Sequence, residues 1–212
     1  IAGLVPADRD VEGVVEMMLD ATQHYAKPLT KERLFGWHAA LFPTGHSGMS
    51  RIIVGGWRDD RHGPMRVVSG PVGRERIHYE APEAGRLESE MSIFLDWFEN
   101  DTRVDFVLKS AIAHLWFVTI HPFEDGNGRI ARAIADLMLA RSEDSAQRFY
   151  SMSAQTRVER NDYYRILETT QKGGLDITAW LSWYLGCLDR AFDHTEETLS
   201  SVLRKGRFWE HH

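Results

Sequence analysis

The 212-residue sequence predicts a mainly α-helical bundle carrying one small β-hairpin. Three observations predict it. Apolar residues recur at helical spacing along most of the chain. Only between Pro43 and Gly73 does the composition turn glycine-rich, and there two β-branched runs, Ile52-Ile53-Val54 and Met65-Arg66-Val67-Val68, flank a polar stretch, Trp57 to Pro64. One tight loop, His121 to Arg132, joins two apolar helical segments. A hydrophobic content of 43% suffices for one domain with a sizeable core.

Taken in order, Val11, Val14, Val15, Met18 and Leu19 form one helical face within Val11–Tyr25, which Pro28 ends. Thr30 caps a second helix through Leu41. The glycine-rich hairpin follows. Leu87, Met91, Phe94, Leu95 and Phe98 then mark a helix over 81–99, and Asn100-Asp101 breaks it. Val104 to Ile120 reads as a buried helix, and Ile130, Ile134, Leu137 and Met138 as the next. Beyond the polar connection Ser142–Ser145, a helix is predicted over Arg157–Gln171, ended by Lys172-Gly173-Gly174. Asp176 caps a further helix through Leu188, and Thr195–Leu203 forms another. The expected organisation is an N-terminal helical segment over 1–29 packed on a main domain over 30–190, with a helical tail over 191–212.

A net charge of −6 and the lack of any Lys/Arg run exclude a nucleic-acid footprint. The single cysteine, Cys187, excludes an internal disulfide framework and suits a reducing, cytoplasmic setting, where it is expected to pack in the core. No apolar run reaches membrane-spanning length, and no charged-then-apolar leader is present. The chain opens on Ile1 and is read as a piece of something longer; His211-His212 is native or a tag stub.

The chemistry concentrates in His121-Pro122-Phe123-Glu124-Asp125-Gly126-Asn127-Gly128-Arg129-Ile130-Ala131-Arg132. Two glycines flanking an asparagine let backbone N–H groups converge, and the following helix adds its positive dipole end, so Gly126, Asn127 and Gly128 make an anion site. Arg129 and Arg132, three residues apart on that helix's first turn, reach one bound anion. Asp125 is a hard oxygen ligand for a phosphate-bound Mg²⁺. His121 titrates near neutral pH, as a general base should. Each feature alone is ordinary turn or surface chemistry. Together in twelve residues they form a constellation that a structural turn does not need. His114, seven residues earlier, is no metal partner, because Pro122 ends the helix; it is read as a core histidine.

This stretch resembles the signature of Fic-domain proteins, His-x-Phe-x-(Asp/Glu)-Gly-Asn-Gly-Arg-x-x-Arg, and matches it at every defined position. His38, in Trp37-His38-Ala39-Ala40-Leu41-Phe42, resembles the Leu/Trp-His-x-x-Leu-Phe helix near the start of Fic cores and is assigned a packing role. The resemblance implies a Fic-type helical bundle with a β-hairpin flap at about 50–70 and a signature loop at 121–132. It also implies a protein adenylyltransferase that uses ATP and Mg²⁺ to move AMP onto a Tyr, Thr or Ser hydroxyl of a target protein. His121 would be the base, and Arg129 would offset charge on the leaving pyrophosphate. Arg132 would hold the γ-phosphate, Asp125 the metal, and Gly126, Asn127 and Gly128 the phosphates. Phe123 is expected to anchor the loop and Glu124 to face solvent. The flap implies a target protein gripped by strand addition, with Ile52, Ile53 and Val54 as its edge. Tyr164 and Gln171 stand where Fic proteins place a Tyr and, seven residues on, an Asn beside the adenine; the Asn is replaced here.

Many Fic proteins also carry an inhibitory Ser/Thr-x-x-x-Glu-Gly/Asn helix whose Glu pairs with the second arginine. Asp8-Arg9-Asp10-Val11-Glu12-Gly13 is an incomplete copy, with Asp in place of Ser/Thr. The favoured expectation is that Arg132 is free and the domain active. Three alternatives stay open: AMP removal, phosphoryl transfer, and a catalytically silent nucleotide-binding module. The target, the modified residue and the choice between monomer and homodimer are not written in the sequence.

Overall fold

The structure, a computed structural model, describes the backbone of residues 9–210 apart from His62 and Val72, and the side chains of residues 12–196 apart from the same two. The chain forms two compact units, Ile1–Ala146 and Gln147–His212.

In the first unit, α1 (Arg9–Gln23) packs on α2 (Lys31–Leu41) and on α5 (Asn127–Glu143). The α1–α2 crossing is a backbone contact: a Cβ on Gly13 would stand 1.9 Å from the Ala40 carbonyl oxygen. Thr30 caps α2 as predicted, its Oγ1 accepting from the Arg33 amide at 3.2 Å. The centre of the unit is α4 (Phe106–Ile120) against α5, with α3 (Leu87–Asn100) on the other side of α4. Helix α4 is apolar nearly all round, which dictates a central position. Phe94, Phe98, Phe117, Phe123, Ile130, Ile134 and Leu137 are all fully buried. Asp105 caps α4 through the amides of Val107 and Leu108.

The β-structure lies where expected but pairs differently. Strand β1 (His46–Ser47) pairs with β2 (Ser50–Arg51), and β3 (Arg66–Ser69) with β4 (Arg76–Glu80), both antiparallel. Ile52, Ile53 and Val54 follow β2 and belong to no strand, which corrects the expected strand there. The hairpin partner of Val67 is Tyr79, with a register shift between Val67 and Val68. Turn glycines decide this: Gly48 and Gly70 adopt φ +56° and +103°, so the chain reverses there and not across Trp57–Pro64.

The second unit contains α6 (Met152–Val158), α7 (Arg160–Lys172) and α8 (Thr178–Glu210), with α8 packed on both others. The predicted helix over 157–171 is interrupted at Glu159, whose carboxylate is drawn into an ion pair with Arg190. The two predicted C-terminal helices are one continuous helix. Trp180, Tyr184, Cys187 and Leu188 are buried, so this stripe is core. Burial pushes the Cys187 thiol up to about 11, in keeping with a packing role. Among the described residues no helix is long and apolar enough to cross a membrane.

Candidate active site

The signature loop is built from its ends inward. Pro122 stops α4, and His121 caps it in the left-handed region at φ 52°, its own amide still bonded to the Phe117 carbonyl at 3.0 Å. Phe123 is fully buried as the expected anchor, stacked on the His38 ring at 4.2 Å and tilted against Trp57 at 5.1 Å. Asn127, also buried, turns its carboxamide back onto the Phe123 backbone. Gly126 adopts φ +84°, and a Cβ there would lie 2.9 Å from Phe42 Cε2. Only glycine fits this point of the turn.

That geometry leaves donors unspent. The Gly126 carbonyl accepts from the amides of Arg129 and Ile130, whereas the amides of Asn127 and Gly128, first in α5, donate to no group among the described residues. A helix N-terminus with free amides favours an anion. The Arg129 guanidinium lies over the Phe42 ring at 4.8 Å, with Nη2 3.7 Å from Asp125 Oδ2. Arg132 Nη1 lies 3.8 Å from where a Cβ on Gly128 would stand, and among the described residues Arg132 pairs with no carboxylate. Asp125 accepts from Ser47 Oγ at 2.5 Å and from the Gly126 amide at 2.6 Å. Among the described residues no group of three metal-ligating side chains exists. A divalent cation at Asp125 would therefore complete its oxygen shell from phosphate and water, which suits Mg²⁺.

His121 is half-buried, and its Nδ1 lies 3.2 Å from the Val118 carbonyl oxygen. A carbonyl only accepts, so Nδ1 carries the proton and Nε2 holds the free lone pair of a base. Burial is the main cause that lowers the His121 pKa to about 4, with the Arg58 charge adding to it. The imidazole is thus neutral at pH 7. His38 is more than packing. Its Nε2 donates to the Asp125 carbonyl at 3.2 Å, and its Nδ1 accepts from the Gly55 amide at 3.3 Å. Burial holds His38 at about 4 and His114, under Arg132, at about 3.

His121, Asp125, Gly126, Asn127, Gly128, Arg129 and Arg132 all lie on the α4–α5 loop and the first turns of α5. Several neighbours differ from expectation. Glu124 is half-buried, not solvated, because its carboxylate accepts from the Ile53 amide at 2.6 Å. The Ile52 amide is bonded to the Gly45 carbonyl at 3.0 Å, so two of the three amides at 52–54 are spent inside the protein. Tyr164 and Gln171 share one face of α7 in the second unit, Tyr164 being 53% exposed and packed against Tyr163. Glu12 is exposed and forms no ion pair among the described residues; Asp8, of the same incomplete motif, lies outside them, as does His211-His212. Nothing in the sequence singles out Ser47 or Arg58. Arg58 is 2% exposed and bonds the backbone on both sides of the His121–Pro122 junction, yet in sequence it is one charge in a polar run.

The sequence model of the Fic/DOC family matches residues 28–139. A protein adenylyltransferase Fic from Nematostella vectensis is 33% identical over 115 residues, covering 53% of this chain and 25% of its own length. Its counterpart from Drosophila yakuba is 31% identical over 132 residues, 60% of this chain and 25% of that protein. The chain thus spans about a quarter of the length of the curated relatives it matches. Among solved structures, a Fic family protein from Desulfovibrio desulfuricans G20 superposes with a TM-score of 0.69 at 25% identity, over 94% of this chain and 56% of that one. A Fic domain containing signaling protein from Bacteroides thetaiotaomicron VPI-5482 shares the fold with a TM-score of 0.68 at 20% identity, over 92% and 74% of the two chains.

Proposed function

Because the chain belongs to the Fic/DOC family, we propose that it transfers AMP from ATP to a Tyr, Thr or Ser hydroxyl of a target protein. The observation that carries this reading is one loop holding a neutral imidazole beside the amides of Asn127 and Gly128 and the Arg132 guanidinium, three groups with no partner among the described residues.

The amides of Asn127 and Gly128 receive the β- and γ-phosphates, and Arg132 takes the γ-phosphate. Asp125 would hold Mg²⁺, which when bound offsets phosphate charge. His121 Nε2 takes the proton of the target hydroxyl as its oxygen bonds to the α-phosphorus and the bond to the bridging β-phosphate oxygen breaks. Pyrophosphate leaves with that bond's electrons, and Arg129 offsets the charge that develops on it. The hairpin β3–β4, exposed along most of its length, is a better edge for a target strand than Ile52–Val54, two of whose three amides are spent. Addition is favoured over removal by the absence of any carboxylate on Arg132 among the described residues. Adenine contacts from Tyr164 and Gln171 are part of the proposal.

The test is intact-mass analysis with Mg²⁺ and ATP labelled at the α-phosphate, alongside His121→Ala. One AMP gained on the protein or on a lysate protein, and lost in the variant, supports the reading. Label arriving only from the γ-phosphate overturns it in favour of phosphoryl transfer. Nucleotide binding without turnover of any kind would leave a silent binding module.

A further inference from the structure

We propose that Arg58 is a positioning residue that ties the β3–β4 hairpin and the catalytic loop into one frame, so that a target strand on the hairpin and the His121 base are held in fixed register. This rests on the functional reading above.

Four bonds from this one residue make the tie. The Arg58 amide donates to the Pro122 carbonyl at 2.9 Å, and Nε donates to the His121 carbonyl at 2.8 Å. On the far side of the same guanidinium, Nη2 donates to the Pro82 carbonyl at 2.5 Å and Nη1 to Asp60 Oδ1 at 3.2 Å. Asp60 precedes the hairpin and Pro82 follows it. The other Asp60 oxygen accepts from the Ala84 amide at 2.7 Å, which closes the hairpin's base into a ring around the guanidinium. Above this ring, Tyr79 of β4 donates its hydroxyl to the Thr119 carbonyl in the last turn of α4 at 2.8 Å.

The backbone explains why such a clamp is needed. His121 is left-handed, so its carbonyl has left the helical ladder, and Pro122 offers no amide to any neighbour. A buried carbonyl without a donor is costly, and a peptide free to turn would swing the imidazole attached to it. Arg58 supplies the donor, and its side chain has no exposed surface. A planar five-donor fork can serve His121, Pro82 and Asp60 at once; an ammonium cannot. The partners of the Arg58 side chain and amide are the loop backbone and the two ends of the hairpin. The residue acts through His121.

The experiment compares wild type with Arg58→Lys, Arg58→Met and Asp60→Asn. Hydrogen exchange is read at 65–82 and 118–126, together with the melting temperature, ATP affinity and the kcat and KM of transfer. In Arg58→Lys, which keeps the charge and removes the fork, exchange should rise in both segments together. ATP affinity and the KM for ATP should stay within about twofold, and kcat should fall roughly 10–100-fold, the scale set by ångström misplacement of a base. Arg58→Met should behave the same or more severely. Should Met prevent folding, Lys and Asp60→Asn carry the comparison, the latter loosening the ring from the hairpin side. Full kcat in Arg58→Lys, or faster exchange confined to the hairpin, would overturn the proposal. The exchange and ATP-affinity arms need no turnover. A wild type that binds ATP but transfers nothing sinks the functional reading, and coupled exchange then still decides whether Arg58 makes the tie.

Discussion

Asn127 closes both backbone polar groups of Phe123: the Phe123 amide donates to Oδ1 at 3.0 Å, and Nδ2 donates to the Phe123 carbonyl at 2.8 Å. Both residues are buried, so the loop's apolar anchor and the first residue of α5 are fixed directly to each other. Asn127→Ala should cost roughly 2–4 kcal/mol in urea unfolding, because two buried groups lose their partners. Asn127→Asp, which keeps the acceptor and loses the donor, should fall between. An Ala variant as stable as wild type would show that water replaces the carboxamide.

Gly126→Ala combines a left-handed φ with a 2.9 Å clash against Phe42. The conformational cost alone is roughly 1–2 kcal/mol. Relief of the clash must move Phe42, over which Arg129 lies. The expected outcome is a lower melting temperature together with at least tenfold weaker ATP binding in titration calorimetry. Retained affinity would mean that the turn does not form the phosphate site.

Arg132→Ala should weaken ATP roughly 10–100-fold, the usual worth of a charge-assisted bond, while ADP affinity changes little, because the residue is assigned to the γ-phosphate. Equal losses for ATP and ADP would reassign it to the β-phosphate.

Stability should depend on pH through two buried histidines, His38 and His114, and the half-buried His121. His38 and His121 titrate at about 4 and His114 at about 3 in the folded protein, each held down mainly by burial, against 6.5 when exposed. The unfolded chain therefore binds more protons between pH 6.5 and these values. Stability is full above about pH 6.5 and falls as pH drops toward 4 and then 3. Urea midpoints measured from pH 7.5 to 4 should decline, and His114→Gln should flatten part of that slope. A midpoint constant over this range would contradict the neutral assignments.

The candidate loop stood out in the sequence because its imidazole, carboxylate, glycines and arginines are contiguous, and because Gly-Asn-Gly has few backbone solutions. The same holds for the helices with clear caps, such as the one begun by Thr30. What the sequence hid was the partner of each loop residue. Ile52-Ile53-Val54 looks like a strand by side chains alone, but the turns at Gly48 and Gly70 set the pairing, and Glu124 then takes the Ile53 amide. Glu159 offers no Gly or Pro to mark the break before α7, which is tied to a long-range pair with Arg190. Arg58 was invisible for a general reason: its partners are largely backbone carbonyls, which leave no side-chain signature.

The loop's fastenings come from His38, Ser47, Ile53 and Arg58, all more than sixty positions upstream. The twelve-residue signature is therefore not a portable cassette. Grafted onto another helical hairpin it would carry the proposed base and the proposed phosphate-binding amides but lose the scaffold that aims them. A designer who wished to transplant this chemistry would have to move residues 38–60 as well, and to treat the two distant segments as a single part.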